Sequence, residues 1–169
     1  LPLWNARRAD GARGMRGFSG KGRLCACILT AVLFFLLPAS AQTEVYRSVK
    51  TDTMQIALTF DDGPHPYLTK EILDILEQYH VKATFFMVGE NVINYPDAAR
   101  AVLSAGHEVG NHTFSHLHVN RLSEHEFMEE LGRCEDALEE LCEYRPHLFR
   151  PPEGALTEYV EHCSDDFDY

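Results

Sequence analysis

Short apolar runs alternate along this chain with longer stretches in which apolar residues return every three or four positions, and the two periods mark two kinds of element. The runs Ile56–Phe60, Ala83–Val88, Glu108–Asn111 and Leu148–Arg150 read as strands, several of them ending at turn-forming residues. The helical period appears over Leu68–Tyr79, Pro96–Ser104, Ser123–Cys142 and Thr157–Cys163. Strands alternating with helices, without internal repeats or low-complexity linkers, predict an α/β fold with parallel strands and helical crossovers. The clearest helix start is Ser123-Glu124-His125-Glu126, which has the spacing of a capping box. Beyond it Leu131, Ala137, Leu138 and Leu141 form an apolar stripe. The acidic residues among them, Glu126, Glu129, Glu130, Glu135, Asp136, Glu139 and Glu140, read as a solvated face.

The amino-terminal quarter follows neither period. Met15 opens a stretch with Arg16, Lys21 and Arg23, then an apolar run from Leu24 to Leu37, then Pro38-Ala39-Ser40-Ala41. This is the pattern of a secretory signal peptide cleaved before Gln42. Its apolar run has 14 residues, against the roughly 20 that a membrane-spanning helix needs. An exported protein follows, with an uncleaved membrane anchor as the alternative. Residues 1–14 read as upstream translation, 15–41 as the signal peptide and 42–53 as a short linker.

Export changes the charge. Residues 1–41 hold six of the 15 basic and one of the 26 acidic residues, so the remainder carries nine against 25, a net of −16. Nucleic-acid binding is thereby disfavoured, since no basic surface is available to displace phosphate counterions, and nothing implies a stable protein partner. Cys25 and Cys27 leave with the signal segment, while Cys134, Cys142 and Cys163 remain, without metal-ligand spacing. On one continuous helix Cys134 and Cys142 stand about 12 Å apart, too far for a disulfide. Free or buried thiols are expected.

Two segments carry candidate chemistry. Thr59-Phe60-Asp61-Asp62-Gly63-Pro64 puts adjacent carboxylates at the carboxyl end of a strand, where α/β folds bind ligands. Adjacent aspartates repel unless their roles differ, as when one binds a cation and the other stays free; the plain alternative is a turn that caps the next helix. His112-Thr113-Phe114-Ser115-His116 follows a second strand, and a spacing of four aims both imidazoles the same way on a helical turn. Together they supply the parts of a metal-dependent hydrolase.

Over Met54–Gly154 these residues resemble the polysaccharide deacetylases with a NodB homology domain, also called carbohydrate esterase family 4. Thr-Phe-Asp-Asp-Gly matches that family's first motif, His-Thr-x-x-His its second, and Arg150-Pro151-Pro152-Glu153-Gly154 its third, in order. The resemblance implies a distorted (β/α) barrel, about half of it within 54–169. It implies Asp61 as catalytic base and Asp62, His112 and His116 as ligands of one divalent metal ion, zinc first, with cobalt, nickel or manganese as alternatives. It further implies Arg150 orienting the base, the Glu153 backbone N–H facing the oxyanion, and Pro151 and Pro152 in the substrate site. Many relatives carry an aromatic residue where Glu153 stands, which bears on substrate fit more than on reaction type, because a backbone donor acts whatever its side chain.

The implied reaction is removal of N-acetyl groups from an amino-sugar polysaccharide, above all peptidoglycan N-acetylglucosamine or N-acetylmuramic acid. The alternatives are a chitooligosaccharide deacetylase, an acetylxylan esterase and a non-catalytic secreted glycan-binding remnant. The family's two later motifs, the last bearing a general-acid histidine, have no match before Tyr169. The chain therefore reads as the amino-terminal part of a longer enzyme, inactive alone.

Overall fold

The computed structural model of the protein describes residues 45–48, 50–167 and 169. The upstream segment, the signal peptide with Cys25 and Cys27, and the start of the linker lie outside the described residues. Among the described residues no helix is long and apolar enough to cross a membrane.

Three parallel strands form the sheet in the order β1-β2-β3: β1 is Thr59–Gly63, β2 is Thr84–Met87 and β3 is Glu108–Asn111. Helix α1 (Leu68–Gln78) connects the first pair, and α2 (Gly89–Asn94) with α3 (Pro96–Ser104) the second. After β3 a 3-10 turn at Val119–Arg121 leads into α4 (Glu124–Cys142), and a second at Pro152–Gly154 precedes α5 (Glu158–Asp166). The strand expected at Leu148–Arg150 is present as one parallel bridge, Phe149 to Asn111. Two backbone bonds flank it, Asn111 N–H to Leu148 O at 2.8 Å and Arg150 N–H to Asn111 O at 3.0 Å.

β1 departs most from expectation. It begins three residues late and runs through Asp61 and Asp62 instead of ending before them. Thr59 pairs with Thr84 and Phe60 with Phe85, but the next pair is Gly63 with Met87, so two residues oppose one across the ladder. This is a β-bulge, with Asp62 at φ 65°. The aspartates are held in a strand that is kinked to re-aim them, while Ile56 and Leu58 stay exposed ahead of it.

The core follows from the apolar pattern. Met87, Val92, Val102, Val109 and Leu138 are fully buried between the sheet and α2, α3 and α4. A second cluster, Val119, Phe127, Leu131, Val160 and Cys163, joins α4 to α5. Truncating a residue as buried as Leu131 costs about 2–5 kcal/mol. The capping box forms as expected: Ser123 Oγ accepts from Glu126 N–H at 3.3 Å and Glu126 Oε2 from Ser123 N–H at 2.8 Å. The acidic face of α4 is not wholly solvated, because Glu130 and Glu135 are buried. Each has partners that satisfy a buried carboxylate: Glu130 binds Ser115, and Glu135 binds Arg145 at 2.9 Å and the Tyr169 hydroxyl at 3.1 Å.

Candidate active site

The carboxyl ends of β1 and β3 bring Asp62, His112 and His116 together, with one ligand atom of each within 4.8 Å of the others. Asp62 Oδ1 lies 3.4 Å from His112 Nε2 and 3.1 Å from His116 Nε2. The histidines converge by a route different from the one expected. Residues 112–116 are not helical; left-handed backbone at Thr113 (φ 67°) and His116 (φ 54°) folds the loop back so that the rings meet edge to face at 5.1 Å.

This loop is fastened from several sides. Glu130 accepts from Ser115 N–H and from Ser115 Oγ, both at 2.7 Å. The Asn111 side chain accepts from Thr113 N–H at 2.8 Å and donates to Leu131 O at 3.0 Å and to the Tyr169 hydroxyl at 2.7 Å. The first N–H groups of α2, from Gly89 and Glu90, donate to Thr113 O and Phe114 O at 3.0 and 2.9 Å. Gly89 is required there, since a Cβ would sit 2.6 Å from the Phe114 ring and 3.0 Å from the Cys134 backbone. Cys134 itself is core, its thiol pushed up to about 12 by burial.

His112 Nδ1 is 2.6 Å from the Arg150 carbonyl, which can only accept, so the proton sits on Nδ1 and the Nε2 lone pair faces Asp62. Burial lowers the His112 pKa, opposed in part by that carbonyl bond and by the Asp61 charge. A neutral imidazole with its far nitrogen tied to a carbonyl is the form in which histidine binds metals. This imidazole, that of His116 and the Asp62 carboxylate make a donor set that fits a zinc-like divalent ion.

Arg150 also reaches the other aspartate. Its Nη1 donates to Asp61 Oδ1 at 2.7 Å and to Thr59 Oγ1 at 2.9 Å, and its guanidinium lies 4.1 Å over the Phe86 ring. Asp61 and Asp62, neighbours in sequence, thus face different partners, which is what the bulge between them achieves. Asn91 holds the kink by donating to Asp62 O at 2.9 Å.

Glu153 sits in the 3-10 turn with φ 58°. The turn closes through Gly154 N–H to Pro151 O and Ala155 N–H to Pro152 O. The Glu153 N–H is the first donor of that turn, since Pro152 has none. The Glu153 carboxylate pairs with His118 Nδ1 at 2.9 Å. Pro151 lines a cavity of about 870 Å³ together with Arg150, Phe86 and Thr59. Pro152 is buried within the turn.

Sequence reasoning missed Glu130, Asn111, Thr59 and Asn91. Glu130 had a signal, since it shares the helical stripe of Phe127, Leu131 and Cys134. Asn91 lies on α2, which was not expected.

Fold and site together place the chain among α/β proteins that carry a carboxylate and two histidines at the carboxyl ends of parallel strands. It belongs to the polysaccharide deacetylase family, whose profile matches residues 48–169. It is 42% identical over 104 residues to a peptidoglycan-N-acetylglucosamine deacetylase of Bacillus cereus, a match over 62% of this chain and 38% of that one. It is 46% identical over 120 residues to the peptidoglycan-N-acetylmuramic acid deacetylase PdaC of Bacillus subtilis, over 68% of this chain and 26% of PdaC. The solved structure of PdaC superposes with a TM-score of 0.65 at 41% identity, covering 69% of this chain and 58% of that one. The chain thus spans well under two thirds of the length of these relatives.

Proposed function

We propose that the protein is a metal-dependent hydrolase that removes N-acetyl groups from peptidoglycan hexosamines, with chitin oligomers as the second substrate class. The observation that carries this reading is the separation of two adjacent carboxylates, Asp61 onto Arg150 and Asp62 onto the two histidines. The names of the relatives support the peptidoglycan assignment. A divalent ion on Asp62, His112 and His116, zinc in the first instance, would polarise the acetyl carbonyl and acidify water.

Arg150 fixes Asp61 Oδ1 and leaves the second carboxylate oxygen to take a proton from the attacking water. The Arg150 carbonyl keeps His112 in the tautomer that can bind metal. The Glu153 N–H opens its turn as a donor suited to a developing oxyanion. The signal-peptide pattern of residues 15–41 supports placing the protein outside the cytoplasm, where this substrate lies.

The test is acetate release from N-acetylated peptidoglycan and chitin oligomers by metal-loaded protein of native length. Release that falls by about 10²–10⁴-fold with Asp61→Asn is the expected result. No release from either glycan, with sugar binding retained, overturns the enzymatic reading in favour of a glycan-binding protein.

A further inference from the structure

A second group of ligand-type side chains lies away from the strand ends. Glu124, the first residue of α4, meets His162 and Cys163 of α5, with one ligand atom of each within 4.8 Å of the others. Glu124 Oε1 is 2.9 Å from His162 Nε2. His162 Nδ1 faces the Glu158 carbonyl of its own helix at 3.3 Å. The imidazole is therefore arranged like that of His112, with Nδ1 on a backbone carbonyl and Nε2 towards a carboxylate, the disposition of metal-bound histidines. Cys163 is 1% exposed and free. Asp166, one turn along, adds its charge to the same neighbourhood.

We propose that Glu124, His162 and Cys163 form a second divalent-cation site, separate from Asp62, His112 and His116. A mixed thiolate, imidazole and carboxylate set suits zinc or an ion of similar softness. Binding displaces two protons, that of the Cys163 thiol, which leaves to solvent, and that of His162 Nε2, which leaves to solvent or moves to Nδ1; the sulfur, the freed Nε2 and the Glu124 carboxylate then bond the ion in place of the His162–Glu124 hydrogen bond. Such an ion would tie the first turn of α4 to α5, which otherwise meet through the apolar cluster of Phe127, Leu131 and Val160.

Cobalt distinguishes the sites, because only a thiolate gives a sulfur-to-cobalt charge-transfer band and the Asp62 site has no sulfur donor. Titration of the reduced full chain with Co²⁺ should reach two equivalents, with the near-ultraviolet band saturating at one. Cys163→Ser should abolish the band and one equivalent, while His112→Ala keeps the band and Cys134→Ala changes neither. His162→Ala, an exposed position, should weaken the affinity read from the band by about 10–100-fold or more, the loss that even an outer partner of a metal histidine brings. A folded protein without the band, or a band that survives Cys163→Ser, overturns the proposal and leaves an ion pair beside a buried thiol. Should Cys163→Ser fail to fold, an unchanged band titration in His162→Ala overturns it equally. None of these readouts depends on deacetylation, so failure here leaves the proposed activity standing.

Discussion

The two halves of the candidate active site are held in opposite ways. The imidazole half is built from the core outwards: the His112 side chain is 3% exposed, and its loop is bonded by Glu130, Asn111 and the start of α2. The carboxylate half rides on the edge strand β1, with the Asp62 side chain 70% and that of Asp61 37% exposed. Ile56 and Leu58 ahead of it lie on the surface. His112 therefore shares the stability of the cluster around Leu138 and Val109, while His116, with its side chain 38% exposed, is held through its loop. The aspartates depend on a few polar bonds and can move in local openings. A cation between the halves would bring its largest gain in order on the β1 side.

The sharpest way to break this contrast is to remove one ligand from each half. His112→Ala should lose most bound metal and activity, and should also cost about 1–3 kcal/mol by leaving the Arg150 carbonyl without its donor. Asp62→Asn should lose metal with little change in stability, as exposed substitutions usually do. Metal analysis and denaturant unfolding of both variants check this, and equal destabilisation would erase the distinction.

Next in size, Asp61→Asn should keep its metal and lose turnover by about 10²–10⁴-fold, the usual worth of a general base. Equal metal loss in the Asp61 and Asp62 variants would contradict the division of roles. Glu130→Ala should follow, lowering metal affinity by about 10–100-fold through a loop that has lost its anchor at Ser115. Isothermal titration with zinc reads that change, and undiminished affinity would show that the loop needs no support from α4.

The smallest effect is electrostatic. Burial, with the Lys82 charge beside it, lowers the His107 pKa, and its Nδ1 accepts from Ala83 N–H at 3.2 Å. The neutral ring is the one that fits. Its contribution to stability is present above the ordinary value of 6.5 and is lost as pH falls towards the lowered folded pKa. Unfolding midpoints should fall between pH 7 and 5, less steeply in His107→Gln. Parallel curves for the two proteins would assign the acid sensitivity elsewhere.

The same division governs how much the sequence disclosed. β3, α3 and α4 lie where their periodicity puts them, since a buried stripe leaves a periodic trace. The candidate ligands Asp62, His112 and His116 were legible as motifs. Their geometry was not, because a bulge at Asp61-Asp62 and left-handed residues at Thr113 and His116 are set by tertiary pairing, which periodicity does not encode. The six residues of α2 were too few to show a period. Glu130 and Glu135 passed for solvent-facing charge, since their partners Ser115 and Arg145 are chosen only when the chain folds.

Arg150 joins the halves with two different kinds of matter. Its side chain grips Asp61, but it is its main-chain carbonyl that orients His112. Codon changes rewrite side chains and leave carbonyls in place. One substitution at this position can therefore release the aspartate while the imidazole keeps its tether. A lineage that no longer needed Asp61 held would have a one-step path to that loss at Arg150, whereas no substitution at this position removes the carbonyl that faces His112.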